Sequence, residues 1–457
     1  MRRRWFQVFT LVFLICCIPA MGEDSRSAIT PAKDDITGRM AVMEQTIQKL
    51  QSELEALKAD QAKQKQTQEK EALQKALQAQ LAVPEESQSP EAQPQTSGGL
   101  SLQQLNPEIS FSGDLLYSWQ QDSPTQETSD FNFRGLGVHV QSWLDPYTRF
   151  KAAIPIDETS SSLGEGYIEL HQIADSVILT LGKFRQQFGV VNRWHKHALD
   201  QVDFPVAMRQ IFGEGGLNQT GASLDWLMPP VGDTSQKLTI QVTDGENDRL
   251  FGGNTNNRPS VLGRYSLFKD ISKDTYWEAG LSSLLGWNDT WAMNDTSTQQ
   301  DRQETIVLGA DCAMLWEPTN RMRYRNVQWR SEAYWLNRNI LAPDKSGADT
   351  IHAWGMFSYV QAKVSRTVDI GIRGDLFIPD TKDYANLPST LSLSPLAVTS
   401  KNPYLYQCSP YITWSQSPFV HFRGEYDYSD GKGLSFARHV VWLQAIFAAG
   451  PHKHERY

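Results

Sequence analysis

The chain has 457 residues, of which 40% are hydrophobic and 21% charged, and its formal net charge at pH 7 is -9. A negative net charge of this size excludes a protein built mainly to bind nucleic acid. Four cysteines are too few for a disulfide framework.

Residues 1–22 have the pattern of a secretory signal peptide. Three arginines at positions 2 to 4 precede the apolar run Trp5–Ile18, and Ala20 and Gly22 provide a small-x-small cleavage site. The run is short for a bilayer span, which leaves a transmembrane anchor as the weaker alternative. Cleavage would remove three arginines and no acids, taking the formal charge from -9 to -12.

Residues 38–82 are predicted to be helical, because apolar residues recur there at steps of three and four, as in a coiled-coil seam. The first six are Met40, Met43, Ile47, Leu50, Leu54 and Leu57. We expect a short oligomerising coiled coil, the alternative being one amphipathic helix that lies on its own domain. Residues 83–99 are rich in Pro, Ser, Gln and Gly and are predicted to be a linker.

From residue 100 to 457 apolar and polar residues alternate repeatedly, which is typical of strands with one apolar and one polar face. About 16 strands are predicted. They lie near 108–118, 131–142, 147–157, 164–173, 177–184, 221–228, 237–244, 260–268, 275–286, 303–316, 321–336, 351–364, 367–378, 403–415, 419–428 and 438–449. Such strands fit either a soluble sandwich with its apolar faces inside or a transmembrane barrel with its apolar faces against lipid.

The connections between these strands favour the barrel. Short turns alternate with longer polar segments at 119–130, 158–163, 185–220, 245–259, 287–302, 337–350, 379–402 and 429–437. A closed meander with one end in the periplasm has this asymmetry, whereas a Greek-key sandwich does not predict it. The predicted fold class is therefore all-β: an antiparallel transmembrane β-barrel of about 16 strands, surrounded by outer-membrane lipid of a Gram-negative bacterium.

The segment 185–220 is the longest excursion between early strands and joins the fifth strand to the sixth. A connection of this length inside a compact domain is usually functional. We expect it to fold into the barrel as a pore constriction, the alternative being a surface loop with solvated charges. The candidate constriction residues are Arg185, Arg193, His195, Lys196, His197, Asp200, Asp203 and Arg209.

A coiled-coil leader, a linker, about 16 strands and the run GKFRQQFG at 182–189 resemble the phosphate-selective porin O and P family. The resemblance covers residues 100–457 and implies a homotrimeric outer-membrane channel. That family includes relatives with N-terminal coiled coils that pass small carboxylates.

The polar face of the predicted strands carries charges of both signs. The candidate lumen-lining residues are Arg149, Lys151, Glu169, Arg264, Asp311, Arg373 and Arg423. Acids outnumber bases on this face, yet the presumed constriction is rich in Arg, His and Lys, and rings of charge at the narrowest point set ion preference. We therefore expect passive diffusion of small hydrophilic solutes, weakly favouring small anions such as phosphate or carboxylates.

Other functions find less support in the sequence. The alternative is a structural or adhesive barrel whose coiled coil binds cell wall or partner proteins. No nucleophile elbow, phosphate loop or zinc helix motif is present, so neither an enzyme nor a cofactor is expected. The His-x-His pairs at 195–197 and 452–454 lack a third ligand, so no metal site is predicted.

Overall fold

The structure is a computed structural model that describes residues 107–123, 125–251, 258–288, 303–319, 324–341, 348–380, 403–432 and 436–451. The predicted signal peptide, coiled coil and linker lie outside the described residues and stay predictions. No helix within the described ranges is long and apolar enough to cross a membrane.

Sixteen strands in the described ranges form one closed antiparallel barrel, in which each strand pairs with its neighbours in sequence and β1 pairs with β16. The strands are β1 Glu108–Ser123, β2 Gln126–Trp143, β3 Thr148–Ile156, β4 Glu165–Ala174, β5 Val177–Arg185, β6 Asn218–Val231, β7 Thr234–Thr243, β8 Ser260–Ser272, β9 Thr275–Asn288, β10 Gln303–Trp316, β11 Val327–Leu341, β12 Ala348–Lys363, β13 Val368–Ile378, β14 Leu405–Ser417, β15 Val420–Asp430 and β16 Arg438–Ala449. Two short helices lie in connections, α1 at Val206–Phe212 and α2 at Asp248–Phe251. The predicted fold class is confirmed.

The apolar faces of the strands point out of the barrel. Ile240, Leu308 and Ile372 are 44%, 42% and 51% exposed, whereas their inward neighbours Thr239 and Arg373 are almost completely buried. A soluble sandwich would show the reverse, since its apolar faces would be sealed inside. Only lipid can cover such an exterior without a large hydrophobic cost.

Tryptophans mark the end of the barrel that carries the shorter turns. Trp143, Trp226, Trp316 and Trp414 lie near strand ends there and are 36 to 48% exposed. Indole rings prefer the interface between hydrocarbon and water. The positions of these residues near the strand ends fit an interfacial girdle.

Two predicted connections are wrong. Segment 119–130 is not a loop, because β1 and β2 continue as a hairpin through the pairs Ser118↔Asp130 and Ser123↔Gln126. Strand β11 begins at Val327 rather than at 321, so connection 317–326 is longer than connection 342–347. The regular alternation of short and long connections therefore fails at both places. The parts of strands that extend beyond the lipid do not alternate apolar and polar residues, so the sequence pattern does not show where these strands end.

Candidate functional site

The connection between β5 and β6, residues 186–217, folds back into the barrel; we call it the inward loop. It contains α1 and two 3-10 turns, Val191–Arg193 and Lys196–Ala198. Its apolar side chains are fully buried, including Phe188, Met208 and Ile211 at 0% exposure. They form one hydrophobic cluster with inward-facing side chains of β8 to β13, namely Leu262, Leu284, Val307, Leu336, Phe357 and Phe377. The inward loop is thus packed against one wall of the barrel.

Two glycines on that wall allow the close approach. A Cβ at Gly309 would overlap the ring of Phe188, and a Cβ at Gly355 would overlap Ala207. Close packing leaves no room for added methyl groups in such a contact. These glycines are therefore required by the position of the inward loop.

Buried carboxylates of the wall accept hydrogen bonds from backbone N–H groups of the inward loop. Glu332 accepts from Val190 and Val191 at 3.0 and 2.9 Å, Asp375 from Val206 at 2.9 Å, and Glu425 from Val202 at 2.7 Å. Hydrogen bonds to an ionised acceptor are the stronger kind. These acids fix the path of the loop across the interior, and their charge is directed at the loop rather than at open water.

Arginines of the wall bind the carbonyl groups of the same segment. Arg373 donates to the Asp203 carbonyl at 2.9 Å, and Arg423 donates to the carbonyls of Leu199 and Gln201 at 2.7 and 2.9 Å. Both side chains point inward and are buried beneath the inward loop, and their role as lumen-lining residues stays a prediction. The structure adds that they anchor the inward loop.

The other predicted lumen residues pair with one another. Arg264 pairs with Asp311 at 2.5 Å. Arg149 and Lys151 share Glu169, at 3.9 and 3.7 Å. Glu165 of β4 also acts on Lys151, so the section near β3 and β4 contains two bases and two acids.

Arg185 joins the two ends of the inward loop. Its Nε donates to the Asn192 carbonyl at 2.7 Å and its Nη2 to the Gly215 carbonyl at 2.8 Å. Its guanidinium also lies 5.3 Å from the centre of the Phe204 ring. The Arg185 side chain is therefore bound to the backbone of the inward loop.

Four charged side chains of the predicted constriction region form a local ion network. Lys196 lies 3.0 Å from Asp203 and 3.7 Å from Glu214, and Arg209 lies 3.8 and 3.6 Å from the same two acids. The two bases and two acids cancel in formal charge. Asp200, which belongs to the same predicted set, accepts a hydrogen bond from Tyr359 at 2.9 Å.

Three imidazoles meet where the inward loop contacts β2. The ring centres of His139, His195 and His197 lie 5.2 to 5.6 Å apart, and His195 Nε2 lies 3.4 Å from Glu165. Burial and the nearby Arg185 lower the pKa of His195 well below its ordinary value. His139 was missed by the sequence reasoning; its position in the polar alternation of β2 was the available signal. The described residues contain no group of His, Cys, Asp or Glu arranged to hold a metal ion.

Arg193 differs from the other arginines of the site. Its guanidinium is partly exposed and lies within electrostatic range of Lys151 on β3 and Lys237 on β7. Among the described residues it has neither a hydrogen bond nor an ion pair; Asp225, the acid that acts on it most strongly, is 3.5 Å from Lys237. Lys237 was also missed by the sequence reasoning, although it lies on the same face of β7 as the polar residues Thr239 and Gln241.

A closed barrel of sixteen strands with an apolar exterior, a polar inner wall and a connection folded inside is the fold of outer-membrane porins of Gram-negative bacteria. The chain has this fold, and its apolar exterior makes it a membrane-spanning β-barrel. It is similar to the outer-membrane channel DcaP of Acinetobacter baumannii, with a TM-score of 0.50 and 12% identity over 75% of this chain and 96% of that one. It is equally similar in structure to an anion-selective porin from Comamonas acidovorans, with a TM-score of 0.50 and 9% identity over 75% and 99% of the two chains.

Sequence comparison adds little to this likeness. No family model matches the chain. An uncharacterized protein of Aquifex aeolicus strain VF5 is 24% identical over 264 residues, which are 55% of each chain. The chain spans about half the length of this curated relative. The resemblance to the phosphate-selective porin O and P family therefore stays a prediction, whereas the porin fold is established.

Proposed function

We propose that the protein is a porin for passive diffusion of small hydrophilic solutes, that it weakly favours small anions, and that the inward loop is its constriction. The fold supports the first part, because one of the solved structures described above is named as an outer-membrane channel and the other as an anion-selective porin. The homotrimer remains a proposal from the family resemblance. No enzymatic activity is proposed.

The position of the inward loop supports the constriction. Its apolar side packs on β8 to β13, so the space left for water lies between its opposite side and the remaining wall. Arg193 belongs to that opposite side, together with Lys151 and Lys237 of the facing strands. A solute that passes the loop would meet these three bases at close range.

The unpartnered charge of Arg193 is the observation that carries the anion preference. Acids are more numerous than bases on the predicted inner face, but Glu332, Asp375 and Glu425 are directed at backbone N–H groups of the loop. Asp311 is neutralised by Arg264 at 2.5 Å. A charge that is already paired acts weakly on a passing ion, so a partly exposed guanidinium without a partner has the larger effect.

Reversal potentials in planar bilayers under a potassium chloride gradient test this proposal. A unit charge about 5 Å away in water stabilises chloride by about 0.8 kcal/mol and destabilises potassium by the same amount, so Arg193→Gln should lower the chloride-to-potassium permeability ratio about 16-fold. Arg193→Lys is the matched control, because it keeps the positive charge at the same position of the loop. An unchanged ratio in Arg193→Gln, or an equal change in the control, would show that Arg193 does not select ions.

The alternative of a structural or adhesive barrel depends on residues 38–82, which lie outside the described residues. Stepwise conductance from purified, folded protein would exclude a plugged barrel. A complete lack of openings would refute the porin proposal itself.

A further inference from the structure

Arg338 of β11 is buried without a partner. It lies on the inward face, and its side chain is 0% exposed. Its Nε, Nη1 and Nη2 atoms have no hydrogen-bond partner among the described residues. The residues paired with it across the sheet are Thr305 on β10 and Ile351 on β12. Neither can neutralise a guanidinium.

The surroundings of Arg338 are apolar. Leu336, Ile351 and Leu250 are each exposed by 1% or less and belong to the hydrophobic cluster of the interior. Helix α2 covers this region, and its Leu250 carbonyl accepts a hydrogen bond from Thr305 at 3.1 Å. A guanidinium cannot lose its proton under these conditions, so burial here leaves a full positive charge in a medium of low polarity.

The charged group that acts on Arg338 is another base. Arg249 of α2 lies close enough to repel it, and no carboxylate of the described residues acts on it. Other buried arginines of the barrel are different: Arg373, 1% exposed, donates to Asp375 at 2.8 Å, and Arg264 pairs with Asp311 at 2.5 Å. Glu214 acts on Arg249, whereas the Arg338 guanidinium has no carboxylate beside it among the described residues.

We propose that Arg338 and Arg249 hold a small inorganic anion, a halide or a tetrahedral oxyanion, between β11 and α2. Full burial of Arg338 excludes a bulky organic anion, and guanidinium groups bind both halides and oxyanions through their N–H donors. The site lies on β11 toward connection 342–347, away from Arg193, and does not depend on the proposed ion preference. A bound anion would fasten α2 to the barrel wall.

Anion-dependent unfolding of the full chain in detergent micelles tests the site. Urea titrations compare sodium chloride with sodium gluconate at constant ionic strength, because gluconate is too large to enter. Ligand linkage predicts that the ratio of folded to unfolded protein rises about tenfold for each tenfold increase in chloride above its dissociation constant. Arg338→Met, which keeps the volume and removes the charge, should abolish this dependence, while the exposed Arg438→Gln control should retain it.

A structural measurement keeps the proposal testable if Arg338→Met does not fold. Crystals of the unmodified protein grown in sodium bromide should show an anomalous scattering peak between the guanidinium groups of Arg338 and Arg249, and Arg249→Gln should weaken it. Substitution of sulfate for bromide in a second crystal separates halide from oxyanion binding. The proposal fails if no peak is found with either anion, or if Arg338→Met and the unmodified protein depend equally on chloride.

Discussion

Replacing Glu332 with alanine should loosen the inward loop. One oxygen of this carboxylate accepts hydrogen bonds from Val190 and Val191 at 3.0 and 2.9 Å, and the side chain is only 2% exposed. A hydrogen bond to a charged group contributes about 1.5–3 kcal/mol, so the two together contribute about 3–6 kcal/mol. Two effects reduce this loss. Water can hydrate the two freed amides, and the variant no longer has a carboxylate to bury. We therefore expect a net loss of about 3 kcal/mol, or a factor of about 100 in the opening equilibrium of the loop.

Hydrogen exchange measured by mass spectrometry on peptides from 186–206 checks this value, because exchange of these amides reports local opening. Protection should fall about 100-fold in Glu332→Ala, and single-channel records should show added brief transitions. Asp369→Asn is the matched control, since that inward acid binds Lys363 at 3.0 Å. Unchanged protection in Glu332→Ala, or an equal loss in the control, would refute the view that wall carboxylates hold the loop.

Three further predictions concern the same loop. Gly355→Leu places a side chain where Ala207 packs, so the loop should be pushed towards the opposite wall and single-channel conductance in planar bilayers should fall. Arg185→Gln removes charged hydrogen bonds to both ends of the loop and should lower the free energy of unfolding by about 1.5–3 kcal/mol in urea titrations, without a change in ion preference. His195 is neutral in the folded protein because its pKa lies well below 6.5, whereas the unfolded chain binds a proton there. Stability should therefore fall as the pH drops below about 6.5, by up to about 1.4 kcal/mol per pH unit, and urea titrations of His195→Gln should show a smaller loss.

Each of these predictions has a distinct control. Gly374→Leu adds the same side chain at a position with open space around it, so an equal fall in conductance would contradict the Gly355 prediction. A shifted reversal potential in Arg185→Gln would mean that this arginine also contacts the ion path. His352→Gln, on β12, should leave the pH dependence unchanged; if His195→Gln does so too, the charge state assigned to His195 is wrong.

Most strands could be predicted because lipid imposes a strict rule on them. Each membrane-crossing segment must alternate an apolar outer residue with an inner one, and runs such as Ile306, Leu308 and Ala310 show this directly. The extended part of the β1–β2 hairpin could not be predicted. It carries polar residues on both faces, and its pairing depends on backbone hydrogen bonds that no side-chain pattern reports.

The interior was predicted less completely, because its chemistry depends on the path of one loop. The sequence places Arg373 and Arg423 on the inner wall, but only the position of the inward loop decides that they bind its carbonyls. One signal was available: at Tyr334, Trp335 and Leu336 both faces of β11 are aromatic or apolar, which indicates that the inner face is covered there. Arg338 could not be recognised, since an inward arginine is ordinary in a wet barrel until its partners are known.

The inward loop is held by residues that lie far from it in the sequence, and this affects the order in which the parts of the barrel can assemble. The carboxylate that holds Val190 lies 142 residues later in the chain, and the one that holds Val202 lies 223 residues later. Strands β11 and β15, which carry these two carboxylates, must therefore be in place before the inward loop can reach its final position. A chain that ended before β15 would lack the carboxylate that holds Val202.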